Sequence, residues 1–150
     1  MALREQPSLR SRALRLLAQR EHARGELGRK LARHCEDQAS IEALLDELER
    51  QDLLSPERFA QSLARRRGER YGVVRIRQEL REHGIDEETV AEQVRELKLT
   101  EFSRAREVWR RRFGSLPEDL GERARQTRFL AARGFSGEVI RRVLSGAADD

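Results

Sequence analysis

Cysteine occurs once in the 150 residues, at Cys35, so no disulfide can form within the chain and a reducing compartment is expected. Aromatic side chains make up only 5%, which argues against one thick core. No apolar run approaches the roughly 18 residues that a membrane-spanning helix needs, and residues 1–25 carry no secretory hydrophobic segment. A soluble, cytoplasmic protein is expected. The period-two alternation of a β-strand is missing throughout. Lysine is nearly absent as well: only Lys30 and Lys98 occur, so 29 of the 31 basic residues are arginine. Arginine brings planar, permanently charged forks suited to phosphate or carboxylate.

What is present is charge and a helical rhythm. Charged residues make up 39% and hydrophobic ones 37%. Such a mixture suits helices with narrow apolar stripes and broad solvated faces. Leu, Ile and Val recur at helical spacing as far as Leu144, which confines disorder to the ends. The net charge of +4 comes entirely from residues 98–150, with twelve basic and eight acidic residues. Arg65 to Arg81 is a local basic concentration, seven arginines against Glu69 and Glu79.

The stretch Arg75-Ile76-Arg77-Gln78-Glu79-Leu80-Arg81-Glu82-His83-Gly84-Ile85 encodes a helix, a stop and a turn. Ile76 and Leu80 share one helical face. Gly84 supplies the left-handed stop, and Asp86 can cap the next helix. The same design recurs twice. Leu31, Leu80 and Leu130 match at offsets of 49 and 50, as do Ile41, Val90 and Ile140, and Leu45, Val94 and Leu144. Gly84 matches Gly134, and Ile85 matches Phe135. Cys35 stands where the first copy would need glycine, so its turn must be built differently.

The spacing predicts an all-α chain of three tandem three-helix repeats forming an elongated, curved array. Residues 1–7 read as a flexible lead, 8–55 as repeat 1, 56–97 as repeat 2, 98–146 as repeat 3 and 147–150 as a tail. Ser8 or Ser11 caps a first helix that runs to about His22. Ser55-Pro56-Glu57 is a strong helix start. One helix is expected from Glu87 to about Leu97, and Thr100 then caps a separate one. Leu116-Pro117-Glu118-Asp119 opens a helix with Leu120, Ala124, Phe129 and Leu130 inward.

The chemistry of common enzymes is missing from the motifs. There is no phosphate-binding loop, dinucleotide fingerprint or nucleophile elbow. His22, His34, Cys35 and His83 lack zinc spacing and read as surface or helix-end residues. Glu118 and Asp119 read as acids at a helix start rather than metal ligands. No enzyme activity, metal or cofactor is expected. The remaining signal is the arginines: Arg65, Arg66, Arg70, Arg75, Arg77 and Arg81, then Arg110, Arg111, Arg123, Arg125, Arg128 and Arg133. They are candidates for contact with phosphate backbone or an acidic protein groove.

Three segments carry a family resemblance. They are Leu53-Leu54-Ser55-Pro56-Glu57-Arg58-Phe59-Ala60, then Gly72-Val73-Val74 running on through Ile85, then Phe129-Leu130-Ala131-Ala132-Arg133-Gly134-Phe135-Ser136. Together, over about residues 12–146, the chain resembles the RecX family of bacterial regulators of the RecA recombinase. His83 stands where lysine is usual, and Ser55-Pro56 replaces the commoner acidic pair. The resemblance implies a monomer that binds in the groove of the RecA–single-stranded DNA filament. It further implies restraint of filament growth, ATP hydrolysis, strand exchange and coprotease action. The partners implied are the RecA filament and DNA, single-stranded first and double-stranded second. The competing readings are a DNA-binding helical module acting without RecA, and a plain helical scaffold.

Overall fold

A computed structural model describes residues 5–148. Among them are eight α-helices and no strand: α1 (Leu9–Gln19), α2 (Arg24–Ala32), α3 (Gln38–Arg50), α4 (Pro56–Gly68), α5 (Val73–Glu82), α6 (Glu87–Arg112), α7 (Leu120–Ala132) and α8 (Gly137–Leu144). No helix among the described residues is long and apolar enough to cross a membrane. The greater part of the expected lead, residues 1–4, and the end of the tail, residues 149–150, lie outside the described residues.

The chain divides into two compact units: unit 1 holds Met1–Phe59 and His83–Ile85, and unit 2 holds Ala60–Glu82 and Asp86–Asp150. In unit 1, α1, α2 and α3 enclose Ala13, Leu27, Leu31, Ile41, Leu45, Leu48 and Leu54. In unit 2, α6 is the shared element. It packs on α5 with its first half and on α7 and α8 with its second. The second half surrounds Phe102, Ala105, Trp109, Leu130, Phe135, Ile140, Val143 and Leu144. All nine repeat-matched apolar positions are buried; Leu31, Leu80 and Leu130 have no exposed surface.

Helix starts follow the expected capping chemistry. The Ser8 hydroxyl accepts from Ser11 N, Ser55 from Arg58 N, Asp86 from Thr89 N and Ser136 from Val139 N. Gly84 and Gly134 adopt φ of 75° and 86° at their turns. At position 35 the chain needs no left-handed residue: α2 simply ends, and Asp37 caps α3. The end of α3 places a non-glycine residue, Asp52, at φ 58°. Its N–H donates to Glu49 O and that of Leu53 to Leu48 O, which closes the helix in a Schellman turn.

Three expectations are corrected. First, α6 runs unbroken through Thr100. No glycine or proline interrupts residues 87–112, and the Thr100 hydroxyl turns back to Leu97 O instead of capping a new helix. Second, α7 begins at Leu120, with Asp119 as its cap accepting from Glu122 N at 2.7 Å. Its inner face carries Gln126 and Leu130, while Leu120 is 85% exposed and Ala124 is exposed too. The phase is set by Gln126, whose Oε1 accepts from Trp109 Nε1 at 2.7 Å in the core. Third, His22 lies beyond the end of α1 and is buried. Its Nδ1 is 3.0 Å from Arg20 O and its Nε2 is 3.0 Å from Lys30 Nζ. Because the carbonyl can only accept, Nδ1 carries the proton and Nε2 accepts from Lys30.

Candidate nucleic-acid interface

A backbone junction ties the end of α7 to the start of α5 in the arginine-rich unit 2. Gly72 N donates to Arg133 O at 2.8 Å, and Val74 N donates to Gly134 O at 3.1 Å. Free N–H groups at the start of α5 thus meet free carbonyls at the end of α7, so each helix end satisfies the other. The approach is so close that a Cβ at Gly72 would collide with the Gly134 carbonyl, and one at Gly134 with Arg75. On the other side of the loop, Arg104 donates to Gly68 O at 2.7 Å, Tyr71 O at 2.9 Å and Leu97 O at 2.9 Å. Burial lowers its guanidinium from the usual arginine range, and Glu101 offsets part of that. The carboxylate of Glu101 is itself buried and accepts the N–H of Ser136 at 3.0 Å.

The arginines of unit 2 take three kinds of place. Arg67 and Arg75 stack on the Tyr71 ring at 4.2 Å and 4.3 Å, and Arg67 is also bidentate to Glu79. Arg81 pairs with Glu87 through two bonds, at 2.9 Å and 3.0 Å, while Arg110 and Arg111 share Glu107. Arg125 leans on Glu122 at 3.4 Å. Arg77 is half-buried and lies within electrostatic reach of Glu87. Among the described residues, Arg65, Arg66, Arg70, Arg123 and Arg128 are exposed and make no carboxylate pair.

One cleft brings together arginines far apart in the chain. Arg70, from the loop after α4, meets Arg111 and Arg112 at the end of α6 and Arg133 at the end of α7. Val108 and Phe129 give the cleft an apolar floor, Glu69 lies on its rim, and its volume is about 310 Å³. The Arg133 guanidinium lies 5.1 Å from the Phe129 ring centre and that of Arg112 5.7 Å from it. Among the described residues Arg70, Arg112 and Arg133 make no ion pair.

Family models match the chain in three consecutive pieces: the first three-helix domain of RecX at residues 10–48, the second at 57–92 and the third at 100–144. The chain belongs to the RecX family. The regulatory protein RecX of Leptothrix cholodnii is 53% identical over 94% of this chain and 90% of its own. That of Ralstonia nicotianae is 50% identical over 98% and 93%. Among solved structures, RecX from Lactobacillus salivarius superposes with a TM-score of 0.76 at 18% identity, over 92% of this chain and 93% of that one. A second RecX crystal structure gives 0.79 at 23% identity, over 91% and 71%. These two show the same fold.

All twelve candidate arginines fall within the second and third RecX domains and none in the first. The structure unites Arg70, Arg111 and Arg133. Sequence alone did not single out Arg112 as a contact, although it stands in the Arg110-Arg111-Arg112 run. Arg104 was also missed: a lone arginine on a helix shows no sign in sequence that three carbonyls will meet it.

Proposed function

We propose that this chain is a non-enzymatic modulator of the RecA recombinase, mainly an inhibitor. It binds in the groove of the RecA–single-stranded DNA filament and limits filament growth, ATP hydrolysis, strand exchange and coprotease action. It works as a monomer in the cytoplasm, where its one cysteine stays reduced. Membership of the RecX family carries this reading. The exposed arginines of unit 2 support it, because positive charge suits a groove lined by phosphate and acidic protein. The contacting residues are drawn from Arg65, Arg66, Arg70, Arg75, Arg77, Arg81, Arg110, Arg111, Arg123, Arg125, Arg128 and Arg133.

The test is ATP hydrolysis by the cognate RecA on single-stranded DNA, titrated with this protein at low and high salt. Inhibition is expected at well below one copy per RecA, weakening as salt rises. No inhibition at any ratio overturns the proposal. DNA binding that persists in that case would favour a helical module acting without RecA.

A further inference from the structure

Three arginines of unit 1 are neutralised inside the fold. Arg24 reaches three carboxylates, Arg20 is bidentate to Glu26, and Arg58 meets both Glu21 and Asp52. The cleft at the ends of α6 and α7 is different. Arg112 and Arg133 flank the Phe129 ring, and Arg70 is exposed at the mouth. None of the three has a carboxylate partner among the described residues, and only Glu69 brings an acid to the rim. Holding three like charges around one small space raises the energy of the free protein. An anion offering several oxygens relieves it, and the planar guanidinium edge matches phosphate geometry.

The floor narrows the choice. A cleft for inorganic phosphate alone has no use for Val108 and Phe129. A single strand offers both parts at once: a phosphate for the forks and an unstacked base for apolar and guanidinium faces. A duplex keeps its bases paired and stacked, so only its phosphates would reach. We propose that the Arg70–Arg111–Arg112–Arg133 cleft holds the phosphate and splayed base of one nucleotide of a single DNA strand. The inference deepens the filament reading and rests on it for the identity of the strand. The loop clamped by Arg104 and by the Gly72–Gly134 junction keeps the cleft in place before the strand arrives.

The experiment is fluorescence anisotropy of a labelled oligothymidylate with the full chain, without RecA, across a salt series. The double variant Arg70→Glu/Arg112→Glu alters two exposed residues. It is compared with Arg15→Glu/Arg29→Glu, the same charge change in unit 1, and circular dichroism checks helicity in both. The cleft variant is expected to bind roughly tenfold more weakly or worse. Its slope of log affinity against log salt should fall by about 0.7 for each phosphate it no longer neutralises. The unit 1 variant should keep the wild-type slope, and Arg70→Gln/Arg112→Gln should lose affinity in the same direction as the reversal. Equal losses in the two reversal variants would mean a diffuse field and would overturn the proposal. So would wild-type binding by the cleft variant, or no binding by the wild type. A polyglutamate peptide that binds through these arginines while oligonucleotide binding ignores them would also overturn it, in favour of an acidic protein. The filament reading stands or falls separately, on whether the wild type inhibits RecA.

Discussion

Arg24 in unit 1 and Arg104 in unit 2 are each held by several partners, but of different kinds. Arg24 meets Glu42 at 2.7 Å, Asp46 at 2.8 Å and Glu49 at 3.2 Å. Burial opposes its charge, yet the three carboxylates outweigh burial and raise its pKa. Arg104 meets three backbone carbonyls and the Thr100 hydroxyl, all neutral, and burial lowers its pKa. The contrast extends to whole units: unit 1 has eleven basic and eleven acidic residues, unit 2 twenty and sixteen. In the first unit Arg10, Arg20, Arg24 and Arg58 are held in ion pairs, and Arg15, Arg29, Arg33 and Arg50 stand singly on the surface. In the second unit arginine serves as a clamp on backbone and leaves further guanidinium groups without carboxylates. Net charge alone hides this, because it is the pairing that decides which charges a partner can use.

The largest test of that contrast is Gly72→Ala. The obstacle to the new methyl group is the backbone of Gly134 and Phe135 just after α7, so the junction must open and its two hydrogen bonds weaken. A loss of about 3 kcal/mol is expected in urea unfolding. Gly84→Ala, at a turn with open space around it, should cost only about 1 kcal/mol from its φ of 75°. Equal costs would show that the junction is looser than its hydrogen-bond distances imply.

Next comes Arg104→Met against Arg24→Met. Losing Arg104 strands the carbonyls of Gly68 and Tyr71 and should cost about 2 kcal/mol, with little change in high salt and no full rescue by lysine. Losing Arg24 should cost about 1 kcal/mol or less, fading as salt screens its partners. If salt acts equally on both, the distinction between a carbonyl clamp and an ion-pair hub fails.

Acid should weaken unit 1 in two steps. Burial depresses the His22 pKa below its ordinary 6.5, with nearby Arg20 and Lys30 adding to the fall and Glu26 opposing it. The folded form therefore holds fewer protons than the unfolded one, and stability drops as pH falls through 6.5 towards the folded value. Losing the Lys30 hydrogen bond sets the scale at about 1 kcal/mol. Glu26, hydrogen-bonded to Arg20, is pulled from 4.5 to about 2, so its contribution disappears below pH 4.5. Melting curves across this range should show both arms, and His22→Gln should flatten the first. A wild-type profile that stays level from neutral pH to about 5.5 would contradict the buried neutral imidazole.

The smallest effect is a gain. Asp52→Gly relieves the left-handed backbone at φ 58° but gives up the exposed pair with Arg58 at 3.1 Å. A net stabilisation of about 0.5 kcal/mol is expected from thermal melts, since exposed pairs contribute little.

Much of the fold was legible because local chemistry and the helical period agree. The caps at Ser8, Ser55 and Asp86, the turns at Gly84 and Gly134, and the nine matched apolar positions all follow from rules acting within a few residues. Thr100 misled because a β-branched hydroxyl residue reads as a cap only if the helix stops. Nothing in residues 91–100 stops it. Leu120 and Ala124 misled because Gln126 found Trp109, which turned the polar glutamine inward and the leucine outward. The candidate arginines could be picked out from sequence but not sorted into stacked, paired and unpaired.

Composition and period were enough to make this chain all-helical, to repeat it three times and to place its charge excess in residues 98–150, because each follows from residue type and spacing. Which arginines stay unpaired is a question of distance between segments 21 to 63 residues apart. Arg70, Arg111, Arg112 and Arg133 share a cleft because α7 ends against the start of α5, where Gly72 and Gly134 let two backbones meet without a side chain between them.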